Sequence, residues 1–292
     1  MLANPVMTAS GTFSFGLDEG HAFDVQELGA IVTKTVTLRP RKGSPQQRTA
    51  ETPAGMLNAI GLQNPGVDEV VRKMASRWER WRVPVIVSIL GSTVEEYGEL
   101  AARLDGVEGI AGLELNISSP NAQRGGMEFG QVPETVASVT ANVVRHTTMP
   151  VVVKLTPNVT DIVACARAAV DAGADALCLI NTLQAMAIDA RAKRPVIGST
   201  FAGLSGPAIK PVALRVVYQV ASALDVPIVG CGGVTSGEDA VEFIEAGATA
   251  VQVGTATFAN PRAPMDVLDG LRSFLEETGV DDVRELIGAA RE

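Results

Sequence analysis

Among residues able to do chemistry, one stretch stands out: Leu113-Glu114-Leu115-Asn116-Ile117-Ser118-Ser119-Pro120-Asn121. Leucine alternating with polar residues as far as Asn116 predicts a short buried strand. Pro120, with no N–H to give a ladder, ends it. The chain thus leaves a strand and at once presents two amides and two hydroxyls, ahead of a loop hinged at Gly125-Gly126. A polar cluster at the C-terminal end of a strand, under a loop, is how an α/β barrel builds an active site. A serine–proline turn with no chemistry fits the same stretch.

The remaining elements must place this cluster. Apolar runs at 6–11, 30–35, 83–89, 113–117, 151–155, 176–181, 227–230 and 250–253 predict eight strands. Near-continuous apolar runs mean strands buried on both faces, hence a parallel sheet. Helical spacing occupies 18–28, where Gly29 looks like a stop, and 67–81, 133–147, 209–223 and 264–279. Ser92 with Glu95 and Ser236 with Asp239 form helix-start capping boxes, and Thr160/Asp161 cap a helix reaching Ala172. Eight strand–helix units predict one (β/α)8 TIM barrel over residues 1–292. An open doubly wound sheet is the competing fold, but no G-x-G-x-x-G follows the first strand. Two Gly- and Pro-rich connections, 38–66 and 182–208, are predicted as long loop insertions, a length uncommon without function.

Composition narrows the classes. Hydrophobic residues make up 46% and aromatics only 4%, so the core must be Val, Ile, Leu and Ala. The net charge of −9 disfavours non-specific binding to nucleic acid or an anionic membrane. Cys165, Cys178 and Cys231 have neither metal nor disulfide spacing, which fits a cytoplasmic protein with no iron–sulfur motif of its own. His21 and His146 read as surface residues. No apolar run approaches the roughly 20 residues of a membrane span, and no signal peptide is evident.

Read at their C-terminal ends, the strands deliver Ser10, Lys34, Ser88, Asn116 with Ser119, Lys154, Asn181, Gly232-Gly233 and Gly254-Thr255. Two lysines among carboxamides suit neither metal hydrolysis, which wants His and carboxylate ligands, nor a Ser–His–Asp triad. Glycines after strands seven and eight stand where barrels bind phosphate through backbone N–H groups; each pair alone could be only a tight turn. Such a mouth suits a phosphorylated ligand that gains negative charge and shows imide or carboxylate edges to amides. A reduced flavin mononucleotide beside a planar carboxylated heterocycle meets these conditions, although the pattern by itself names neither.

In order along the chain, Asn4-Pro5-Val6-Met7-Thr8-Ala9-Ser10-Gly11-Thr12-Phe13, the segment Asn58 to Gly66, Asn116 to Asn121, Lys154-Leu155-Thr156-Pro157-Asn158-Val159, Ile180-Asn181-Thr182 and Gly203-Leu204-Ser205-Gly206-Pro207-Ala208-Ile209-Lys210 resemble dihydroorotate dehydrogenase. The likeness is to the cytosolic class 1B catalytic subunit in particular. It implies an FMN-containing barrel that oxidises (S)-dihydroorotate to orotate in pyrimidine (UMP) biosynthesis. By position, Ser10, Lys34, Thr35, Ser88, Asn116, Lys154, Ile180, Gly206, Gly232, Gly233, Gly254 and Thr255 would touch FMN. Lys34, Asn58, Ala59, Ile60, Gly61, Leu62, Asn116, Asn181 and Thr182 would hold the substrate. Class 1B further implies a homodimer, joined in a heterotetramer by a partner subunit whose FAD and 2Fe-2S cluster pass electrons to NAD⁺.

The chain departs from the family pattern in four places. Ser119 replaces the class 1 catalytic cysteine, as in the membrane-associated class 2. Ser88 stands where asparagine is usual, and Leu183-Gln184-Ala185-Met186 where Leu-x-Gly-Met is usual. The chain also begins almost at once with Asn4-Pro5, where relatives carry a further hairpin. A thiol of pKa ~8.5 gives some thiolate near neutrality and a hydroxyl does not, so Ser119 must lose its proton as it accepts one. Other readings are an FMN barrel acting on uracil-like rings, a fumarate-linked dihydroorotate dehydrogenase, a tRNA dihydrouridine synthase, which the acidic charge opposes, and a flavin-binding subunit without catalysis.

Overall fold

The structure, a computed structural model, describes residues 2–17, 22–117 and 129–291. Eight parallel strands wind round one axis: β1 (Val6–Thr8), β2 (Ile31–Val32), β3 (Val85–Ile89), β4 (Gly112–Asn116), β5 (Val151–Leu155), β6 (Ala176–Leu179), β7 (Ile228–Cys231) and β8 (Ala250–Val253). From β2 onward each pairs with the next, and β8 pairs with β1, Val251 opposite Val6. The seam between β1 and β2 is closed by a parallel bridge from Met7 to Ala30 and by the Gly29 N–H, which donates to the Val6 carbonyl at 2.8 Å. A Cβ on Gly29 would lie 2.0 Å from the Asn4 carbonyl oxygen. Gly29 therefore serves the seam, where two backbones touch, rather than a helix end.

Alternation along the strands sorts the core. Leu113, Leu115, Val153, Leu177 and Val251 face the surrounding helices in the main apolar cluster. Met7, Ala9, Ala30, Val32, Cys178, Val229 and Ala250 form a separate, narrow cluster. Period-two burial of this kind follows from the pleat, and small side chains suit the barrel's interior.

The helix ends show both agreement and difference. Ser236 and Asp239 make the expected capping box at Gly237–Glu245. The Asp161 side chain caps Ile162–Asp171 by accepting from the Ala164 N–H at 3.0 Å. Ala263–Thr278 stops at Gly279, left-handed at φ 69°. Helix Val94–Leu104, however, is capped by Thr93, not Ser92; the Ser92 N–H instead donates to the Glu96 carboxylate at 2.6 Å. The predicted helix at 18–28 is, in its described part, only a 3-10 turn, Val25–Glu27; residues 18–21 lie outside the described residues. The helix from Val67 passes through a π turn, Val71–Ala75, before Ser76–Trp78.

The largest difference lies in the two predicted loops. Thr49–Thr52, Gly55–Asn58, Ala202–Ser205 and Leu183–Ala185 join, in that order, in one antiparallel sheet. Both insertions thus build a single wall. Their strands are short, and pairing such as Gly203 with Asn58 spans 145 residues. Local periodicity carries no signal for it.

Candidate active site

A cavity of about 390 Å³ opens at the C-terminal ends of the barrel strands, walled on one side by the antiparallel sheet. Of the residues expected there, Ser10, Lys34, Thr35, Asn116, Lys154, Ile180, Asn181, Thr182, Gly232, Gly233, Gly254 and Thr255 line it from the barrel side. Asn58, Ile60, Leu62 and Gly206 line it from the two insertions. Three do not. Ala59 packs in a small cluster with Leu57, Ile197 and Ala202. Gly61 shapes a turn, at φ 72°, whose Cβ would meet the Ser44 backbone nitrogen at 2.5 Å. Ser88 is fully buried beneath the cavity. Ser119 lies outside the described residues.

Ser88 nevertheless acts on the cavity through a chain of hydrogen bonds. Its hydroxyl lies 2.9 Å from Thr35 Oγ1, which accepts from Asn116 Nδ2 at 3.1 Å. Asn116 Oδ1 in turn accepts from Asn181 Nδ2 at 3.2 Å, and Asn181 Oδ1 accepts from the Thr182 N–H at 2.8 Å. These bonds fix which edge of each amide faces which way. The Tyr97 hydroxyl adds a bond to the Asn116 carbonyl at 2.9 Å. Across the cavity, Asn58 Nδ2 donates to the Gly203 carbonyl at 3.2 Å, tying the two insertions together.

Charge in the cavity is positive. Burial, and then the charge of Arg48, hold Lys34 below the usual lysine value. Arg48, within the Gly- and Pro-rich connection 38–66, is not among the residues the sequence points to. It lines the cavity and is braced by the Ser44 carbonyl at 2.5 Å and by Gln63 Oε1 at 2.6 Å. Lys154 donates to Gln252 Oε1 at 2.9 Å, and Gln252 Nε2 donates to Glu114 Oε2 at 2.6 Å. Neither Gln252 nor Glu114 was expected in the site.

The glycine turns form the opposite end. Gly206, Gly232 and Gly233 have φ of 94°, 136° and 82°, and a Cβ on Gly233 would stand 2.8 Å from Lys210 Cβ. Backbone in this conformation carries no side chain over its N–H groups, as an anion cradle requires. The cavity therefore fits a phosphate-like anion at the glycines and a flat anionic ring among the amides and cations. Among the described residues, no three His, Cys, Asp or Glu could hold a metal ion, and no helix is long and apolar enough to cross a membrane.

A closed (β/α)8 barrel with this mouth defines a TIM-barrel enzyme. The family profile "Dihydroorotate dehydrogenase" matches residues 1–275, and the chain belongs to that family. Curated relatives called "Dihydroorotate dehydrogenase B (NAD(+)), catalytic subunit" include those of Desulforudis audaxviator, 55% identical over 99% of this chain and 94% of the relative, and Desulforamulus reducens, 54% identical over 99% and 95%. That of Geotalea uraniireducens is 53% identical over 99% and 94%. The fold matches the crystal structure of a DHODH from Eimeria tenella in complex with ferulenol, with a TM-score of 0.81 at 23% identity, over 98% of this chain and 85% of the other.

Proposed function

We infer that the chain oxidises (S)-dihydroorotate to orotate in pyrimidine biosynthesis, as the catalytic subunit of an NAD⁺-linked, class 1B enzyme of the cytoplasm. One observation carries this reading: the hydrogen-bonded Asn116–Asn181 pair, the Lys34–Arg48 cations and the glycine turns share one cavity. The cofactor would be FMN: Gly206, Gly232, Gly233, Gly254 and Thr255 would hold its phosphate, and Ser10, Thr35, Lys154 and Ile180 the rest of it. When bound it supplies the hydride acceptor.

The chain's own residues do the remainder. Asn58, Asn116, Asn181 and Thr182 pair with the N–H and C=O edges of the dihydropyrimidine. Lys34 and Arg48 neutralise its carboxylate, and Ile60 and Leu62 exclude water. Ser88 contributes by holding Thr35 and Asn116 rather than by touching a ligand. Ser119 takes the C5 proton. The barrel works as a homodimer, in a heterotetramer with a subunit bearing FAD and a 2Fe-2S cluster.

The test is the visible spectrum of the purified protein before and after dihydroorotate is added. A yellow protein whose heat-released flavin is FMN, and which bleaches with dihydroorotate, supports the assignment. FAD, or no flavin after reconstitution, refutes it. The isolated chain should reduce an artificial dye and only slowly reduce NAD⁺; adding the partner subunit should restore NAD⁺ reduction. Rapid turnover of the lone chain with fumarate would remove the class 1B part alone.

Asn→Ala at position 58, 116 or 181 leaves a ligand group unpaired in a dry site, which costs roughly 1–3 kcal/mol. Each variant should therefore bind orotate about 10- to 100-fold more weakly, as read by orotate titration of the flavin spectrum. Unchanged affinity in all three would contradict the amide frame.

A further inference from the structure

Beneath the cavity lies a buried carboxylate that the proposed reaction does not use. Glu114, on β4, is 1% exposed. Its Oε2 accepts from Gln252 Nε2 at 2.6 Å, while its Oε1 has no hydrogen-bond partner and stands 3.8 Å from Lys154 Nζ. Gln252, on β8 and equally buried, accepts from Lys154 Nζ at 2.9 Å. The carboxamide is wedged between ammonium and carboxylate in the one orientation that satisfies both; reversed, its NH₂ would face the ammonium and its oxygen the carboxylate. Only Lys154 of the three lines the cavity. An ammonium this deep is strongly penalised unless it is paired.

We propose that Glu114 and Gln252 are positioning residues that hold Lys154 as a fixed ammonium aimed into the cavity, where it raises the reduction potential of the bound flavin. The proposal rests on the flavin reading above.

Among the described residues, the titratable groups facing Lys154 are Glu114 on β4, Cys178 on β6 and Cys231 on β7. Burial pushes Lys154 down, but its interactions with Cys178, Cys231 and Glu114 outweigh it and leave the lysine above its usual value. Burial pushes the Cys178 thiol up. A hydrogen bond from Cys178 draws Cys231 down against its own burial, to about 7, with Lys154 adding to the pull. Cys231 is therefore the other group able to answer Lys154, and the test must separate it from Glu114.

The test is Glu114→Gln, which keeps an acceptor for Gln252 but removes the charge. Two quantities are followed against pH: the melting temperature, which needs no flavin, and the midpoint potential of the bound flavin. In the wild type, Lys154 has a folded value above the ordinary 10.5. Its stabilising effect is complete below that value and fades only as pH rises through the folded one. Without Glu114 the burial of the ammonium is no longer offset by a carboxylate, and the folded value should fall below the unfolded one, opening an interval between the two. The variant is then least stable while the lysine must stay charged. It should gain stability, and its flavin potential should drop below the wild-type line, as pH rises through that interval.

Adding Lys154→Met should abolish both breaks, and should restore folding if Glu114→Gln alone does not fold. Adding Cys231→Ser instead should leave both breaks in place. Profiles of Glu114→Gln parallel to wild type overturn the proposal, as do breaks that vanish with Cys231→Ser or a double Glu114→Gln/Lys154→Met variant that still fails to fold. A melting break in a protein that binds no flavin sustains the hold on Lys154 and refutes the flavin reading instead.

Discussion

Replacing Ser119 by alanine is expected to slow the bleaching of bound flavin by dihydroorotate by about 10²-fold or more, the range of a lost general base, with orotate affinity little changed. Sequence order places Ser119 three residues beyond Asn116, the last residue of β4. The titratable or cationic side chains among the described lining residues are Lys34, Arg48, Lys154 and Cys231. Arginine does not deprotonate in proteins, and Lys154 is committed to Gln252 and Glu114. That leaves Lys34 and Cys231 as competitors for the base. Lys34 is lowered by burial and by Arg48, and Cys231 lies at about 7. Stopped-flow reduction of Ser119→Ala, Ser119→Cys and Cys231→Ser decides among them. Ser119→Cys should keep activity and acquire a thiol-like rise with pH. Collapse in Cys231→Ser with an unaffected Ser119→Ala would move the base to β7, and unaffected rates in both Ser119→Ala and Cys231→Ser would leave Lys34.

The second large effect is expected at the phosphate end. Gly233→Val should purify largely colourless, with FMN affinity reduced by about 10²-fold or more. The Gly233 backbone sits at φ 82°, where a β-branched residue is strained by about 1–3 kcal/mol. Its Cβ would also press on Lys210 Cβ at 2.8 Å and the Gly206 carbonyl oxygen at 2.9 Å, and overpacking of this kind costs typically about 1–3 kcal/mol more. At ~1.4 kcal/mol per tenfold, relief by distorting the turn removes two or more decades of binding. Equilibrium FMN titration of the apoprotein, beside far-UV circular dichroism to show that the barrel is formed, checks it. Wild-type FMN affinity in a folded variant would mean that the phosphate lies elsewhere.

How much of this was legible in the sequence depends on the range over which each feature is encoded. The barrel strands announce themselves locally, as apolar runs ending in Lys34, Asn116, Lys154 or Asn181. The capping box of Ser236 and Asp239 is equally local, because three residues hold all of its physics. At Thr93, two adjacent hydroxyl residues and two adjacent glutamates allow either register, and packing chooses. Ser88 was placed correctly at a strand end but one layer too high: its hydroxyl serves Thr35, not the cavity. The resemblance implies the unbroken segment Asn58 to Leu62, whereas the backbone shows Asn58, Ile60 and Leu62 to the cavity and turns Ala59 and Gly61 away. Gln252 and Glu114 carry no local signal, because alternation on one strand cannot say that two inward polar residues on β4 and β8 will meet across a barrel.

The antiparallel wall also dictates an order of manufacture. On a chain made from its N-terminus, Thr49–Thr52 and Gly55–Asn58 emerge early and can pair with each other at once. The outer edge of Gly55–Asn58 must wait for Ala202–Ser205, while four barrel strands and the helices between them are synthesised. Throughout that interval a strand edge stands unprotected, the condition under which nascent chains pair wrongly with one another. The strand is only four residues long and starts at a glycine whose Cβ would strike the Ser205 carbonyl oxygen at 2.2 Å, so it makes a short and poor template for any stranger while it waits. The wall of the substrate pocket is thus among the first pieces begun and among the last completed.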